Sequence, residues 1–373
     1  MTTVGYTTLS TNDSMDLDCD TEGWLCYDCD GKTYVIMNTT TEIEGMPLYC
    51  RYMKFKKVSR IIYLMVALFI FLLAVIGNAL VLIIVKRFRD MKNVTNYLLA
   101  NLAVTDLTCT FLASLPSVII YFHDIIPEQW TLVIINYVQM VTAQASCVTF
   151  IVLAVHRYFV SKNMFAKGNQ VPYRIQLSSV PKILASIWIL SVVLHVPVLI
   201  LKIRQGTDDE KWRYYIIYYF IMVYVNPLVI IPVLYYNIVD LIWRATSVRS
   251  NSSNSSAVLS GIRLQTHRKK KRASRVIFAV VCIFIVCWTP YCIFNFYIAF
   301  FPYRSPMSMW AFMDSARLVS HTLIYFSNCI NPIIYAFSGL PYRRHFKELF
   351  ALCVIYCAKP ETQMDTTNDF IYS

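Results

Sequence analysis

The stretch "IIYLMVALFIFLLAVIGNALVLIIV", Ile61 to Val85, contains no charged residue. A helix needs about 20 mainly apolar residues to cross the hydrocarbon core of a bilayer, so this stretch is predicted to span a membrane. The rest of the chain agrees, because 57% of its 373 residues are hydrophobic and only 15% are charged. Soluble domains carry about 25% charged residues. The sequence therefore predicts a membrane protein.

Seven segments of the chain are long and apolar enough to cross a bilayer. They are residues 58–85, 94–122, 131–155, 181–201, 214–242, 276–301 and 310–337. We therefore predict an all-α membrane protein, a seven-helix transmembrane bundle over residues 58–340. An acidic, cysteine-containing tail, residues 1–57, precedes the bundle, and a short C-terminal region, residues 341–373, follows it.

Basic residues in the loops predict the orientation of the bundle. Those on one side are Lys86, Arg87, Arg89, Lys92, Lys162, Lys167, Arg174, Arg263, residues 268–272, Arg343, Arg344 and Lys347. The positive-inside rule places these loops in the cytoplasm, so we predict a multi-pass plasma-membrane protein with its N-terminus outside and its C-terminus inside. The basic excess is mostly cytoplasmic, so no nucleic-acid partner is predicted. One group at the outer end of the first span opposes the rule: Arg51, Lys54, Lys56, Lys57 and Arg60.

The N-terminal tail is acidic and rich in cysteine. Its first 50 residues contain nine acidic residues and one lysine, a formal charge of −8. Two glycosylation sequons, at Asn12 and Asn38, fit an extracellular tail. The disulfide candidates are Cys19, Cys26, Cys29 and Cys50. Oxidation outside the cell favours one or two disulfides, and a four-thiolate zinc site is the alternative because Cys26 and Cys29 have C-x-x-C spacing.

The C-terminal region is predicted to lie along the cytoplasmic face. Residues 341–350 are predicted to form a short amphipathic helix parallel to the membrane. Its apolar face consists of Phe346, Leu349 and Phe350. Cys353 and Cys357 follow this helix and are palmitoylation candidates.

Asp106 is the clearest charged residue inside a predicted span. A charge at the bilayer centre costs about 2.5–3.5 kcal/mol, and the polar residues predicted at comparable depth are Asn78, Ser146, Asn328 and Asn331. One interpretation is a buried cation site or hydrated network that rearranges between two states. The other is a protonated carboxyl that only cross-links helices.

Proline and the absence of enzyme motifs complete the pattern. Four prolines, Pro116, Pro227, Pro290 and Pro332, are predicted to kink their helices and free backbone carbonyls. The sequence contains no H-E-x-x-H, no G-x-S-x-G and no phosphate loop, so we predict that the protein is not an enzyme.

Seven short motifs, one per helix, point to a family. They are Gly77-Asn78, "NLAVTD" at 101–106, "HRY" at 156–158, Trp188, Pro227 with Tyr235, "CWTP" at 287–290 and "NPIIY" at 331–335. Together they closely resemble the rhodopsin-like G-protein-coupled receptors over residues 58–357. The resemblance implies a receptor that activates a heterotrimeric G protein, with arrestin and membrane lipids as further partners.

The resemblance also implies roles for individual residues. Arg157 resembles the arginine that engages the G protein, and Tyr235 and Tyr335 resemble the tyrosines that hold the open state. The coupling residues so implied are His156, Arg157, Tyr158, Tyr235, Asn331, Pro332 and Tyr335. Asp106, Ser146, Asn328 and Asn331 resemble an allosteric sodium site; no other cofactor or metal is predicted.

Two positions depart from the family pattern. His156 stands where an acidic residue usually forms an ion pair with the following arginine, which predicts a weaker resting lock and raised basal signalling. Leu132 stands where the family has a cysteine, and the following outer loop, residues 201–215, contains none. We therefore expect the tail cysteines to supply the constraint that the missing disulfide would give.

The pocket residues favour a peptide ligand. The seventh span has no lysine for retinal, and Gln139 stands where amine receptors carry an aspartate. The predicted lining is Gln139, Met140, Tyr218, Tyr219, Trp288, Tyr291, Asn295, Arg317, His321 and Tyr325. The acidic residues 208–210 are predicted to attract a basic ligand.

Residues 137–158 resemble invertebrate receptors for FMRFamide-like peptides. A receptor for a lipid or other small molecule and a constitutive or ligand-less scaffold receptor remain the alternatives. An ion channel is a remote third, because the sequence contains no filter motif.

Overall fold

The computed structural model describes a bundle of long helices. It describes residues 17–19, 25–28, 33–35, 46–123, 125, 128–163, 175–205, 209–226, 228–234, 236–237, 257–301, 309–337 and 341–358. The helices are α1 (Met46–Arg87), α2 (Val94–Cys109), α3 (Leu115–Phe122), α4 (Gln129–Asn163), α5 (Val180–Gln205), α6 (Asp209–Tyr219), α7 (Ala257–Phe300), α8 (Trp310–Phe337) and α9 (Pro341–Ala358). One-turn 3₁₀ helices lie at Arg89–Met91 and Leu177–Ser179.

The predicted spans map onto these helices in order. Among the described residues, six helical segments are each apolar and long enough to cross a membrane. The seventh, Ala311–Phe337, meets that test only together with Tyr342–Ala351, to which it is bent by 94°. Many polar residues in α8 explain why it does not pass alone. We call the end where α1 begins the outer end and the end that carries Arg157 the inner end, following the predicted orientation.

Several boundaries differ from the prediction. Helix α1 begins at Met46, well before the predicted residue 58, and α7 begins at Ala257, before the predicted residue 276. Both extensions are too polar to be recognised as membrane-spanning from their hydropathy, but they suit a helix outside the membrane. Helix α9 continues to Ala358. Its Phe346 and Leu349 pack against the core, whereas Phe350 is 73% exposed and does not share their packing.

Proline and π-helical turns break the helices. A π-helical turn at Thr110–Ser114 joins α2 to α3 just before Pro116. A second follows α6 at Phe220–Val225, and helix resumes beyond it. Proline disrupts the backbone ladder, and a π-turn is one way to accommodate that. Pro227 lies outside the described residues, and Pro197 in α5 is a further proline that the prediction omitted.

The contact between α1 and α8 shows how a proline becomes a packing site. Pro332 cannot donate a backbone hydrogen bond to the carbonyl of Asn328, and Asn78 Nδ2 donates to that oxygen at 2.8 Å instead. A Cβ at Gly77 would lie 3.0 Å from Pro332, so only glycine fits there without a shift. The Gly77-Asn78 pair therefore joins the two helices closely.

A second polar chain joins three helices. The Trp188 indole of α5 donates to Asn101 Oδ1 at 3.0 Å, and Asn101 Nδ2 donates to Thr149 Oγ1 at 2.9 Å. Asn101 and Thr149 are buried. These bonds satisfy polar groups inside an apolar bundle and fix α2 against α4 and α5.

The N-terminal tail contains a small antiparallel sheet that the sequence pattern did not predict. Strands β1 (Leu17–Cys19), β2 (Leu25–Asp28) and β3 (Thr33–Val35) pair in chain order. The register places Cys19 opposite Cys26. Directly opposed residues lie about 4.5–5.5 Å apart at Cα, which is within the range of a disulfide. Cys29, Asn12 and Asn38 lie outside the described residues.

Candidate functional site

Four of the predicted pocket residues form a continuous series of rings between α7 and α8. The Trp288 and Tyr291 ring centroids are 6.0 Å apart, and the Tyr291 and His321 centroids are 5.3 Å apart. The series continues from His321 to Tyr325 at 6.1 Å. Arg317 lies one turn before His321 on α8, towards the outer end. The structure therefore brings five of the predicted residues onto one surface.

Three polar atoms of the pocket residues are buried without a hydrogen-bond partner among the described residues. They are Gln139 Nε2, Trp288 Nε1 and His321 Nδ1. Gln139 and Trp288 are 4% and 2% exposed. An unpartnered buried polar group costs about 1–3 kcal/mol, so a ligand that bonds these atoms would recover that cost.

The other predicted pocket residues have mixed surroundings. Met140 and Tyr219 are buried. Asn295 Nδ2 donates to the Tyr291 carbonyl at 2.9 Å, in its own helix. The Tyr218 hydroxyl donates to the Leu194 carbonyl of α5 at 2.7 Å, so this oxygen already has a protein partner. Residue 208 and the side chains of 209 and 210 lie outside the described part of the chain.

A polar network surrounds Asp106 below the rings. Asn331 Nδ2 donates to Asp106 Oδ2 at 2.9 Å, and the Ser146 and Thr105 hydroxyls are 2.9 Å apart. Asp106, Ser146, Asn328 and Asn331 line one small cavity that also reaches Trp288. The four residues that the sequence grouped therefore converge.

The same cavity connects the rings to the bundle centre. Trp288 stacks on Phe284 at 5.3 Å, and Phe284 meets Phe150 of α4 at 5.5 Å. Both phenylalanines line the cavity that contains Asp106. A displacement of Trp288 would therefore act directly on the α4–α7 contact and on the surroundings of the carboxylate.

At the inner end, the residues around Arg157 contact a different helix. His156 is buried, and its Nδ1 lies 3.5 Å from Thr95 Oγ1 of α2. Arg157 and Tyr158 are half-buried. Tyr335 is fully buried, and its ring lies 5.5 Å from that of Tyr342 in α9. Tyr235, predicted to act with Tyr335, lies outside the described residues.

The sequence predicted Arg317 as a pocket residue but not the outer-rim cluster to which it belongs, which consists of Tyr52, Arg60, Tyr121, Asp314 and Arg317. The Cζ atoms of Arg60 and Arg317 lie 5.9 and 5.2 Å from the centroid of the same Tyr121 ring. Arg317 Nη2 contacts Asp314 Oδ1 at 3.1 Å, and the Tyr52 hydroxyl donates to Asp314 Oδ2. Burial, assisted by that hydrogen bond, raises the pKa of Tyr52, so its hydroxyl remains a donor.

An inner-rim cluster was also missed; it consists of Phe88, Asp90, Arg344, His345 and Glu348. The buried His345 ring contacts Asp90 Oδ2 through Nε2 at 3.0 Å and Glu348 Oε2 through Nδ1 at 2.9 Å, and it stacks on Phe88 at 3.8 Å. Arg344 contacts Asp90 at 2.8 Å. The hydrogen bond with His345 holds the pKa of the Asp90 carboxyl below its usual range. No sequence motif marks this cluster.

Comparison with known proteins identifies the family. Residues 77–335 match the 7 transmembrane receptor (rhodopsin family). The chain belongs to this family. The receptor is similar to the allatostatin-A receptor of Bombyx mori, with 27% identity over 87% of this chain and 86% of that one. It is also similar to the tachykinin-like peptides receptor 86C of Drosophila melanogaster, with 24% identity over 76% of this chain and 57% of that one.

Squid rhodopsin has the same fold as the receptor. The structures align with a TM-score of 0.63 and 18% identity over 81% of this chain and 89% of squid rhodopsin. The predicted seven-helix membrane bundle is therefore confirmed, as is the assignment to a family of receptors rather than enzymes. Membership in the FMRFamide-like group stays a prediction.

Proposed function

We propose that the receptor binds an extracellular peptide at its outer end and activates a heterotrimeric G protein at its inner end. The observation that carries this proposal is the ring series from Tyr325 to Trp288, which continues through Phe284 and Phe150 into the bundle. Arg157 and Tyr335 lie at the opposite end. The names of the related allatostatin-A and tachykinin-like peptides receptors support a peptide ligand.

A conformational change can pass along this route because its parts are in contact. A ligand that moves Trp288 changes its stacking on Phe284 and the cavity around Asp106. Asn331 bonds that carboxylate and lies one turn before Tyr335 in α8. We propose that His156, Arg157, Tyr158, Tyr235, Asn331, Pro332 and Tyr335 carry the change to the G protein. Arrestin would use the same face.

The test of this function is a calcium and cyclic-AMP assay of the intact receptor in cells against a library of amidated peptides. The expected result is a dose-dependent response that Arg157→Ala abolishes. Lys162→Ala is the matched control, because Lys162 is an exposed basic residue later in the same helix. Equal responses from the Arg157 and Lys162 variants would contradict the coupling role.

The alternatives are read from the same assay. Silence to every peptide despite surface expression would favour a lipid or other small-molecule ligand. A strong signal without any ligand would favour a constitutive receptor. His156 is the specific residue that motivates the constitutive alternative, because it replaces the acid expected beside Arg157.

We also propose an allosteric sodium ion at Asp106. The ion would add a positive charge beside a buried carboxylate, and the available oxygen ligands suit it: Asp106, Ser146, Asn328 and Asn331 line one cavity. Sodium chloride should raise the melting temperature of the purified receptor relative to choline chloride. Asp106→Asn should remove that difference. An equal sodium effect in the variant would favour the protonated, cross-linking carboxyl.

The orientation and modifications belong to the same proposal. The acidic tail would lie outside the cell, with glycans on Asn12 and Asn38 and disulfides among Cys19, Cys26, Cys29 and Cys50. Helix α9 would lie on the cytoplasmic face against membrane lipids, anchored by palmitoyl groups on Cys353 and Cys357. Intact-mass measurement before and after glycosidase or hydroxylamine treatment tests these modifications.

A further inference from the structure

The first turns of α1 precede its apolar span and still contact α8. Helix α1 begins at Met46, whereas its membrane-spanning part is Lys54–Arg87. We call residues 46–53 the α1 extension. Tyr52 lies in this extension, and its hydroxyl donates to Asp314 Oδ2 of α8. A side-chain hydrogen bond thus links the α1 extension to a helix that is distant in the chain.

Asp314 connects the α1 extension to a predicted pocket residue. Its Oδ2 accepts from Tyr52, and its Oδ1 accepts from Arg317 Nη2 at 3.1 Å. The side chain of Asp314 is only 17% exposed, so these two donors rather than water fix the orientation of its carboxylate. Tyr52 therefore helps to set the direction of the hydrogen bond between Asp314 and Arg317.

Arg317 is held on two sides and still has donors to offer. Asp314 contacts its Nη2, and its Cζ lies 5.2 Å from the centroid of the Tyr121 ring. A guanidinium group has five N–H donors, and among the described residues only Asp314 accepts a hydrogen bond from this one. The Arg317 side chain is 42% exposed, so a ligand at the outer end can reach the remaining donors. Arg317 also lies one helical turn from His321, which belongs to the ring series.

The orientation of Arg317 matters because arginine is a long and flexible side chain. Ordering such a side chain when a ligand binds costs binding free energy. At the outer rim, the contacts with Asp314 and Tyr121 supply part of this order before a ligand arrives. Loss of the contact with Asp314 would transfer that cost to the binding step.

We propose that Tyr52 is a positioning residue for ligand recognition: through Asp314 it fixes Arg317, which donates hydrogen bonds to an oxygen acceptor of the ligand. The α1 extension is then part of the recognition apparatus, although Tyr52 acts only through Asp314. The role in recognition rests on the proposed peptide-receptor function, whereas the relay from Tyr52 to Arg317 does not. The alternative is a contact that only ties α1 to α8, and it predicts no change at Arg317 when the Tyr52 hydroxyl is removed.

The relay is tested without a ligand, by the rate at which phenylglyoxal modifies Arg317 in the purified full-length receptor. Peptide mapping by mass spectrometry separates this arginine from the others. Tyr52→Phe removes the donor and keeps the ring, and Asp314→Asn removes the charge of the carboxylate. Each should raise the modification rate of Arg317 about two- to ten-fold, the factor that corresponds to one lost hydrogen bond.

Tyr297→Phe is the matched control for the loss of a hydroxyl group. Tyr297 is a 38% exposed tyrosine near the outer end of α7. Its substitution should leave the modification rate of Arg317 at the native value. A rise in this control equal to that in Tyr52→Phe would contradict a specific relay.

The role in recognition is tested with the amidated peptide that activates the native receptor most potently in the library assay. At equal surface expression, Tyr52→Phe should lower its potency about two- to ten-fold and leave the maximal response unchanged, because the ligand must then order Arg317. Arg317→Gln should lower the potency at least as much. Adding Tyr52→Phe to Arg317→Gln should cause no further loss, because Tyr52 acts only through Arg317.

Three results would overturn the inference. They are an unchanged modification rate of Arg317 in both Tyr52→Phe and Asp314→Asn, an unchanged peptide potency in Tyr52→Phe, and additive losses of potency in the double variant. Faster modification of Arg317 together with silence to every peptide would support the relay and reject the proposed peptide-receptor function. The failure of the relay and the failure of the proposed function are therefore distinguishable.

Discussion

The predicted ligand pocket and the inner-rim cluster differ in whether their buried nitrogen atoms have hydrogen-bond partners. In the pocket, Gln139, Trp288 and His321 bury nitrogen atoms that have no partner among the described residues. In the inner-rim cluster, both ring nitrogens of His345 contact carboxylates. Neither ring nitrogen of His345 is therefore buried without a polar partner.

The difference separates groups that maintain the fold from groups kept for binding. His345 joins α9 to the turn at Arg89–Met91 and therefore holds two elements together. The pocket nitrogens join nothing, so their burial is a cost to stability that a ligand can offset. Substitution should therefore affect stability at one site and ligand response at the other.

The largest expected effect is at Gln139. Gln139→Leu removes a buried amide whose Nε2 has no partner among the described residues, so the melting temperature should stay the same or rise. Potency of an activating peptide should fall by about ten-fold or more, because a buried hydrogen bond to the ligand is lost. Dose–response curves and thermal melts check both parts. Lower stability with unchanged potency would mean that the amide supports the fold.

The next effect concerns basal signalling at the inner end. His156→Asp places a carboxylate beside Arg157, and a partly exposed ion pair contributes about 0.4–1 kcal/mol. Ligand-free second-messenger output should therefore fall about two- to five-fold at equal surface expression. His156→Asn is the uncharged control and should leave output near the native level. An unchanged output in His156→Asp would show that other contacts hold the resting state.

A smaller effect is expected in the inner-rim cluster. His345→Gln removes the ring that contacts both Asp90 and Glu348, and the loss of folding free energy should be about 1 kcal/mol because both carboxylates are partly exposed. The melting temperature should fall by about 2–4 °C, with faster hydrogen exchange in α9. Arg343→Gln, an exposed neighbour in the same helix, should change neither quantity. Equal effects from the two substitutions would contradict a specific role for His345.

The smallest effect is the pH dependence of the Asp90 contact. Because the folded-state pKa of Asp90 lies below its ordinary value of about 3.9, the contact stabilises the folded state above that value. Its contribution is lost as pH falls through the lowered pKa. The stability difference between the native receptor and Asp90→Asn should thus shrink as pH falls below about 4. A difference that grows below about pH 4 would reverse the sign.

Much of the candidate site could be predicted because it depends on local motifs. The order of the motifs placed Asp106, Ser146 and the pair Asn328 and Asn331 in three different spans, and the structure gathers them around one cavity. The prolines predicted freed carbonyls, and Asn78 indeed donates to the carbonyl of Asn328. Of the outer-rim cluster only Arg317 was predicted, because Tyr52, Arg60, Tyr121 and Asp314 belong to no motif.

The sequence by itself determined the number of spans, their order and the family. Hydropathy is a sum over neighbouring residues, so a run such as residues 61–85 predicts a helix in lipid without any knowledge of its neighbours. Only the tertiary structure decided that Arg60 and Arg317 share Tyr121 and that His345 lies between two carboxylates. Such contacts depend on how distant helices rotate and pack. The sequence around each side chain therefore does not show which side chains it will meet in the fold.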